Sequence, residues 1–341
     1  MNLLSSGFRN YVLKRILQLP IIVFALLVVT FTLSRIIPAD VLWVWAGPFA
    51  TKESKEAIIE HYHLAEPLYV QFWYYFQDLL RFDLGNSPIT HRPITLELAI
   101  RFPRTIQLTF FALFLSIIGG LTFGVVSAIY RNKLPDHFTR LFALAGLSMP
   151  LFWFGLLLQL FFHFKYPIFP AIGVLSGEAA PIVTRFDLID SLLAGRLDIF
   201  WDAVMHLILP SFCLSYPYMA IITRITRSEM LEVLGQDYIR AARSKGLSER
   251  IIMLRHALRN GIIPSLTLIG MTFGFLLGGS VLIETVFVYP GMGYYVVTQA
   301  IKQLDYPAIM GVTLVAGLVF ILVNLAVDLL YGYIDPRIRL N

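Results

Sequence analysis

The sequence predicts an all-α integral membrane protein with six transmembrane helices and both termini in the cytoplasm. Three observations predict it. Of the 341 residues, 57% are hydrophobic and 14% charged, against roughly 45–50% and about 25% in a soluble domain; mean hydropathy is +0.71. Six stretches without Asp, Glu, Lys or Arg have the length, about 20 helical residues, needed to cross a hydrocarbon layer. The basic residues gather in alternate connecting segments. This composition excludes a disordered chain and argues against an ordinary soluble enzyme. The uncharged runs are too long and too uniformly apolar for barrel strands, which leaves helices as the way to satisfy the backbone in lipid.

The elements follow in order. A cytoplasmic N-terminus covers residues 1–10. The first uncharged run has 19 residues between Arg15 and Arg35. Lys14 and Arg15 precede it as in a secretory signal. The run exceeds a signal h-region and no small-residue cleavage site follows, so 11–37 reads as an uncleaved span. A large external loop covers 38–101, with a short helix over Ser54–Tyr62 and a turn at Asp83-Leu84-Gly85. Its aromatic run, Phe72-Trp73-Tyr74-Tyr75-Phe76, suits the headgroup belt. The remaining five spans form a core over 102–335. They comprise 26 residues between Arg104 and Arg131, 24 between Arg140 and Lys165, 21 between Asp202 and Arg224, 24 between Arg259 and Glu284, and 22 between Asp305 and Asp328. The acidic stretch 166–202, broken by Pro167, Pro170 and Pro181, gives no seventh span. Residues 336–341 form a cytoplasmic C-terminus. There is no internal repeat.

Orientation follows from the Lys and Arg distribution. With the N-terminus inside, 16 of the 27 basic residues fall on the cytoplasmic side. Seven of the other 11 sit in the long loop between Arg35 and Arg104, and long loops count little in this rule. The protein is therefore expected to be a multi-pass component of the plasma or inner membrane.

Several chemistries are absent. No lysine follows a glycine, so the chain lacks the Gly-Lys-Ser/Thr of a phosphate-cradling loop. Neither His-Glu-x-x-His nor Gly-x-Ser-x-Gly occurs, so protease and esterase readings have no anchor. The one cysteine, Cys213, excludes an intrachain disulfide and a Cys-rich metal cluster. His61 and His63 are close, but i and i+2 on a helix point to different faces, which is poor ligand spacing. Intramembrane charge is sparse. His163, His206, Glu284 and Asp328 all fall near span ends, where water or headgroups reach them. Glu284, between a Gly-rich span and a Pro-Gly turn, reads as a cap or local ion-pair partner.

The loop between the fourth and fifth spans, 224–260, carries eight of the 27 basic residues. Residues 236–264 read as helix, tight turn, helix. Asp237 is placed as N-cap, Tyr238–Lys245 as a two-turn helix, and Gly246 as a C′ residue in the left-handed conformation. Ser248 can cap the next helix, where Ile251, Ile252, Leu254 and Leu258 form an apolar face and Arg255 and Arg259 lie at i, i+4. Two readings stand: a solvated basic loop held near anionic headgroups, or a preorganised docking element whose Arg240, Arg243 and Lys245 meet acidic groups of a partner. Elsewhere Gly270, Gly274 and Gly278 recur every four residues, as do Gly120 and Gly124, which suits close helix packing or a sliding pathway wall. Pro210, Pro217 and Pro264 can break or kink helices.

The run Arg240-Ala241-Ala242, three residues, Gly246 and later Ile262-Ile263-Pro264 resembles the coupling loop of ABC importer permeases. That family's consensus has Glu-Ala-Ala, a glycine and Ile-x-Leu-Pro. Arg240 in place of glutamate and the long interval to Pro264 match its dipeptide/oligopeptide (peptide/nickel) branch. So do residues 235–250, Arg255-His256-Ala257-Leu258-Arg259-Asn260, Glu284-Thr285-Val286-Phe287 with Pro290-Gly291-Met292-Gly293, and Asp305-Tyr306-Pro307. Asp335-Pro336-Arg337, Asp83-Leu84-Gly85-Asn86-Ser87 and Arg92-Pro93 fit as well. Pro38-Ala39-Asp40-Val41 is a weaker match to the family's Pro-Gly-Asp-Pro.

The resemblance implies a type I ABC importer permease (MetI-like) fold and a subunit that is not itself an enzyme. Its partners would be a second homologous permease (a heterodimer), two cytoplasmic ATPase subunits, an external solute-binding protein and the lipid bilayer, with no nucleic acid. This chain would bind no cofactor, since ATP and Mg sit on the ATPases. Coupling would fall to Asp237, Tyr238, Arg240, Ala241, Ala242, Arg243, Lys245, Gly246 and Leu247. Gly270, Gly274, Gly278, Glu284, Pro290 and Gly291 are candidates for translocation or gating. The cargo would be di- or oligopeptides; oligosaccharides and nickel chelates are alternatives within the family. An ion-coupled secondary transporter or channel is the alternative of another class.

Overall fold

The computed structural model describes residues 6–36, 45–46 and 51–334. The motifs at Pro38–Val41 and Asp335–Arg337 lie outside the described residues, as does the C-terminal segment 336–341. The chain is helical nearly throughout, and no strand occurs among the described residues. In chain order the helices are α1 (Ser6–Ile36), α2 (Lys52–His61), α3 (Leu68–Leu80), α4 (Ile94–Ile129), α5 (Leu134–Ser148), α6 (Leu151–Gln159), α7 (Asp187–Leu193), α8 (Leu197–Leu234), α9 (Asp237–Ser244), α10 (Glu249–Ile251), α11 (Leu258–Gly261), α12 (Ile263–Val286), α13 (Met292–Tyr295) and α14 (Tyr306–Ile334). Turns of π-helix follow α6 (Leu160–Lys165), α10 (Ile252–Ala257) and α13 (Val296–Ile301).

Five helices are long and apolar enough to cross a membrane, α1, α4, α8, α12 and α14. The count reaches six if α5 and α6 are taken as one span broken by a 112° bend. The uncharged run between Arg140 and Lys165 is thus no straight rod. It breaks at Met149-Pro150, where Met149 is extended (φ −84°, ψ 132°). The residue before a proline avoids the α conformation, so the helix stops there. Pro210 and Pro217, by contrast, lie inside α8, which runs unbroken for 38 residues. Pro264 stands in the first turn of α12 and starts a helix rather than kinking one.

The chain forms two compact units, Met1–Thr105 with Pro290–Asn341 and Ile106–Tyr289. In the first unit α1 packs along α14. A Cβ on Gly317 would come within 2.6 Å of the Leu26 side chain, so glycine is what permits that approach. Arg15 and Asp328 pair across it at 3.3 Å, which gives Asp328 a partner within the protein. The aromatic run lies on α3 and splits between two environments. Phe72 packs edge-on against Phe24 and Phe31 of α1, at 6.0 and 5.3 Å between ring centres, whereas Trp73 is exposed. The turn after α3 is held by Asp83, whose Oδ1 accepts the N–H of Gly85 at 2.8 Å, with Gly85 left-handed at φ +74°. Ser87 donates to the buried Asp305, and Arg101 pairs with the buried Glu97 while lying 4.2 Å over the ring of Tyr295.

The second unit is built around α8. Lipid offers no hydrophobic drive for helix association, so close packing and interhelical hydrogen bonds must hold it. Cβ atoms on Gly120 and Gly124 of α4 would fall within 2.6 Å of Ile222 and Thr226 of α8. Tyr216 donates to the carbonyl of Phe142 in α5 at 2.9 Å, and Thr226 bonds Ser265 of α12 at 2.9 Å. Leu108, Leu207, Cys213, Leu214, Leu276 and Ile283 form the buried centre. In the connection after α6, Asp190 is 4% exposed. Burial alone would raise its carboxyl. Bonds from the Thr184 hydroxyl and from the backbone N–H groups of residues 183–185 outweigh that and hold it below the usual carboxylate range.

Candidate functional site: the short helix after α8

At the end of α8 the chain leaves the helical path for two residues. Gly235 donates to the carbonyl of Glu232, and Gln236 is extended at φ −72°, ψ 151°. Helix α9 starts at once, with Gln236 rather than Asp237 in the N-cap position and no side-chain capping bond. Asp237 occupies the first turn instead, where its charge suits the positive end of the helix.

One stripe of α9 is apolar and faces inward. Ile239 is fully buried and Ala242 nearly so, packed with Ile252, Val233 and Leu234. Positions i and i+3 share a face of a helix, so this pair anchors α9 to the end of α8 and to the π-turn Ile252–Ala257. The other face is exposed and carries Asp237, Tyr238, Arg240, Ala241, Arg243 and Ser244. The helix ends in a Schellman motif. Leu247 N–H donates to the Ala242 carbonyl at 3.3 Å and Gly246 N–H to that of Arg243 at 2.9 Å. Gly246 has φ +75°, and nothing lies within 4 Å of where its Cβ would be. Lys245, Gly246 and Leu247 form an exposed corner. Ser248 stands as N-cap of α10 without a side-chain capping bond.

The exposed charges are partly matched within the chain. Arg243 grips Glu249 through two bonds, 2.8 and 3.3 Å, which raises the guanidinium and lowers the carboxyl. Arg240 lies 3.2 Å from Asp237 and donates to the Gly235 carbonyl at 3.3 Å. Tyr238 accepts from Asn260 at 2.9 Å, closing α9 against α11. Arg255 is exposed; the side chain of Leu254 lies outside the described residues.

A second anchor escapes any reading of the sequence. Asp136, fully buried at the start of α5, accepts Arg227 of α8 through Nε at 2.8 Å and Nη2 at 3.1 Å. It also takes the Ser127 hydroxyl at 2.6 Å and the Asn132 N–H at 2.9 Å. This carboxylate ties the ends of α4 and α8 to α5. Its partner stands 91 residues away, and no local pattern announces it. Below it, Met230 fills the notch at Gly261, where a Cβ would lie 3.2 Å from its sulfur.

The translocation candidates occupy different settings. Along α12, Gly270 is half-buried, Gly274 buried and Gly278 exposed, with open space around the Gly278 Cβ position. Four residues advance a helix by about 400°, so such a stripe drifts about 40° per step and crosses from packed to open surface. Met271, Phe275 and Leu282 are exposed near Gly278. Glu284 is fully buried rather than open to water or headgroups. The chain folds back after α12, with Tyr289 N–H on the Glu284 carbonyl at 2.8 Å, and Phe287 and Tyr289 are buried there. His206 is likewise buried, and its ring nitrogen meets the Asp202 carbonyl at 2.8 Å. His163 is half-buried and bonds the Phe169 carbonyl at 3.0 Å. Gly291 is buried as N-cap of α13, beside half-buried Pro290, and both belong to the first unit. No group of three or more His, Cys, Asp or Glu able to hold a metal occurs among the described residues. His63 stacks on Tyr74 at 4.0 Å, and the side chain of His61 lies outside the described residues.

Residues 120–340 match the family described as binding-protein-dependent transport system inner membrane component, and residues 8–109 match the N-terminal region of such membrane components. A probable D,D-dipeptide transport system permease of Escherichia coli strain K12 is 44% identical over 97% of this chain and 98% of its own length. A dipeptide transport system permease of Alkalihalophilus pseudofirmus is 40% identical over 96% and 99%. A glutathione transport system permease of Escherichia coli strain K12 is 37% identical over 97% and 99%. With apolar helices able to span a bilayer and full-length similarity to permeases, the chain belongs to the family of inner-membrane components of binding-protein-dependent transport systems.

Proposed function

We propose that this chain is one permease subunit of an ATP-driven importer that takes up di- and oligopeptides delivered by an external solute-binding protein. A second homologous permease completes the pathway, and two ATPase subunits bind on the cytoplasmic side. Both termini and the segment 224–260 face the cytoplasm, as the basic residues favour. One observation carries the reading: a two-turn helix with an exposed polar face, clamped by its apolar stripe to the end of a 38-residue membrane helix. A helix so mounted transmits a push to the membrane core. The peptide cargo is supported by relatives that transport dipeptides and glutathione.

In this mechanism α9, with Asp237, Tyr238, Arg240, Ala241, Ala242, Arg243, Lys245, Gly246 and Leu247, seats in a groove of an ATPase. Closure of the ATPases displaces α9, and α8 and α12 re-orient. Gly278 and its exposed neighbours line or abut the moving surface; Glu284 holds the turn beyond α12 in shape, and Pro290 and Gly291 are candidates for gating. The test is reconstitution of the assembly in proteoliposomes with its binding protein and labelled peptides. ATP-dependent peptide uptake is expected. Uptake that runs on an ion gradient without ATP would sink the proposal, and uptake of oligosaccharides or nickel chelates instead would reassign the cargo.

A further inference from the structure

Two helices re-orient in the proposed mechanism, and α9 is joined to each in a different way. Its apolar stripe, Ile239 and Ala242, packs on Val233 and Leu234 at the end of α8 and on Ile252. From Ile252 the chain reaches α12 only after the π-turn and the four residues of α11. Residues 255–260 occupy most of that interval, and the last of them reaches back to α9. Asn260 Nδ2 donates to the Tyr238 hydroxyl at 2.9 Å and also meets the His256 carbonyl, four residues earlier, at 3.2 Å. Among the described residues no other hydrogen bond joins α9 to α11.

The backbone under Asn260 is held in place. Gly261, the next residue, is buried against Met230 of α8, where a Cβ would lie 3.2 Å from the sulfur and 3.4 Å from the Met230 backbone. Ile262 keeps helical angles, φ −84° and ψ −18°, and its N–H donates to the Leu258 carbonyl at 3.0 Å. Helix α11 therefore leads into α12 with no extended residue between them, unlike the joint from α8 to α9, where Gln236 is extended. A force on Tyr238 thus reaches the first turn of α12 through one side chain and two residues of backbone. Tyr238 and Asn260 are both exposed. Water competes for their bond, which adds little to stability. Its effect is geometric: it fixes where the exposed face of α9 stands relative to the start of α12.

We infer that Asn260 is a positioning residue that carries the displacement of α9 into α12, while the apolar stripe carries it into α8. The inference rests on the reading of α9 as the element that seats in an ATPase. The test uses the whole assembly in proteoliposomes with its solute-binding protein, and reads labelled dipeptide taken up per ATP hydrolysed. Asn260→Leu is expected to lower that ratio roughly fivefold, the factor one exposed hydrogen bond is worth. Asn260→Asp should retain it, since the Tyr238 hydroxyl can then donate to the carboxylate. Tyr238→Phe should fall as far as Asn260→Leu, and the two together no further, because both remove the same bond. Subunit stoichiometry of each purified assembly checks that the variants fold; if Asn260→Leu does not assemble, Tyr238→Phe and Asn260→Asp decide. An unchanged ratio in Asn260→Leu or Tyr238→Phe, with uptake and hydrolysis falling in proportion or not at all, would overturn the inference. Additive losses in the double variant would overturn it too. A wild-type assembly without ATP-dependent uptake would remove the importer reading itself, a different result from coupled uptake that the variants leave intact.

Discussion

The conformation of Gly246 offers a sharp test of the coupling mechanism. Its φ of +75° places it in the left-handed region, and no atom lies within 4 Å of the point a Cβ would occupy. A Cβ there therefore meets no neighbour beyond the adjacent residues, and the first cost of substitution is in the backbone. For an ordinary L-residue that cost is about 1–2 kcal/mol, enough to shift the ratio of formed to frayed turn by a factor of roughly 5–30. Asparagine tolerates the region, alanine less so, and a β-branched residue least. The Schellman bonds of Gly246 and Leu247 are what fraying breaks. Binding-protein-stimulated ATP hydrolysis and peptide uptake should therefore fall in the order Gly246→Asn, Gly246→Ala, Gly246→Val. The valine variant should lose several-fold while membrane insertion and yield stay normal. Both activities are read on the purified assembly in nanodiscs or proteoliposomes. Full activity in the valine variant would refute the role of this turn. Equal damage from asparagine and valine would refute the backbone argument and point to a partner surface that excludes any side chain.

Three further outcomes follow from the packing and the buried charges. Gly124→Leu should destabilise the second unit by about 1–3 kcal/mol through overpacking, since even a Cβ would sit 2.6 Å from Thr226 and 2.9 Å from the Thr223 carbonyl; Gly278→Ala, in open space, should leave the thermal midpoint unchanged. Asp136→Ala strands Arg227 and should cost about 3–5 kcal/mol, and Asp136→Leu with Arg227→Met should recover much of it in the same melting assay. Burial is the main cause that raises the Asp305 carboxyl, with Glu97 adding to it, against bonds from Ser87 and the Ala308 N–H. Its contribution is thus fully present below about pH 4 and is lost as pH rises through the raised value. Wild-type thermal stability should fall over that window more than that of Asp305→Asn, and parallel curves would show that Asp305 is not the group responsible.

The spans and the left-handed glycine were legible because each depends on local sequence. A charge-free run of about 20 residues has few alternatives in lipid, and a glycine behind a short polar helix has one common use. Direction was less legible. The run from Arg140 to Lys165 satisfies the length rule, yet the chain turns by 112° within it. Pro150 carried the signal, and counting uncharged residues cannot see it. Pro210 and Pro217 show why proline alone does not decide the matter. They sit in a helix pressed on by α4, α5, α6 and α12, and neighbouring helices can keep a helix continuous through the hydrogen bonds that proline removes. The burial of Glu284 was hidden for a similar reason. Its position near the end of a charge-free run says nothing about the buried Phe287–Tyr289 turn that folds back on its carbonyl.

The proposed docking surface is also changed by geometry that spacing does not reveal. One of the two readings of the sequence has Arg240, Arg243 and Lys245 meeting acidic groups of a partner, the other has them solvated near anionic headgroups. In the structure Arg243 is held by Glu249 and Arg240 by Asp237. Exposed pairs of this kind contribute little to stability, so in the proposed mechanism an ATPase carboxylate can replace either one at little cost. The pairs fix the direction of the two arginines beforehand, which lowers the ordering entropy of docking. Shape and the apolar anchor then do what net charge cannot. Ile239, Ala242 and Ile252 lock α9 to the end of α8, and Asp136 locks α8 to α4 and α5. On the side of α8, a displacement of α9 passes through the short joint at Gly235-Gln236. In the proposed mechanism the basic excess of this segment orients the chain and aims its docking face, while the stiffness needed for coupling comes from buried residues that the charge pattern does not mark.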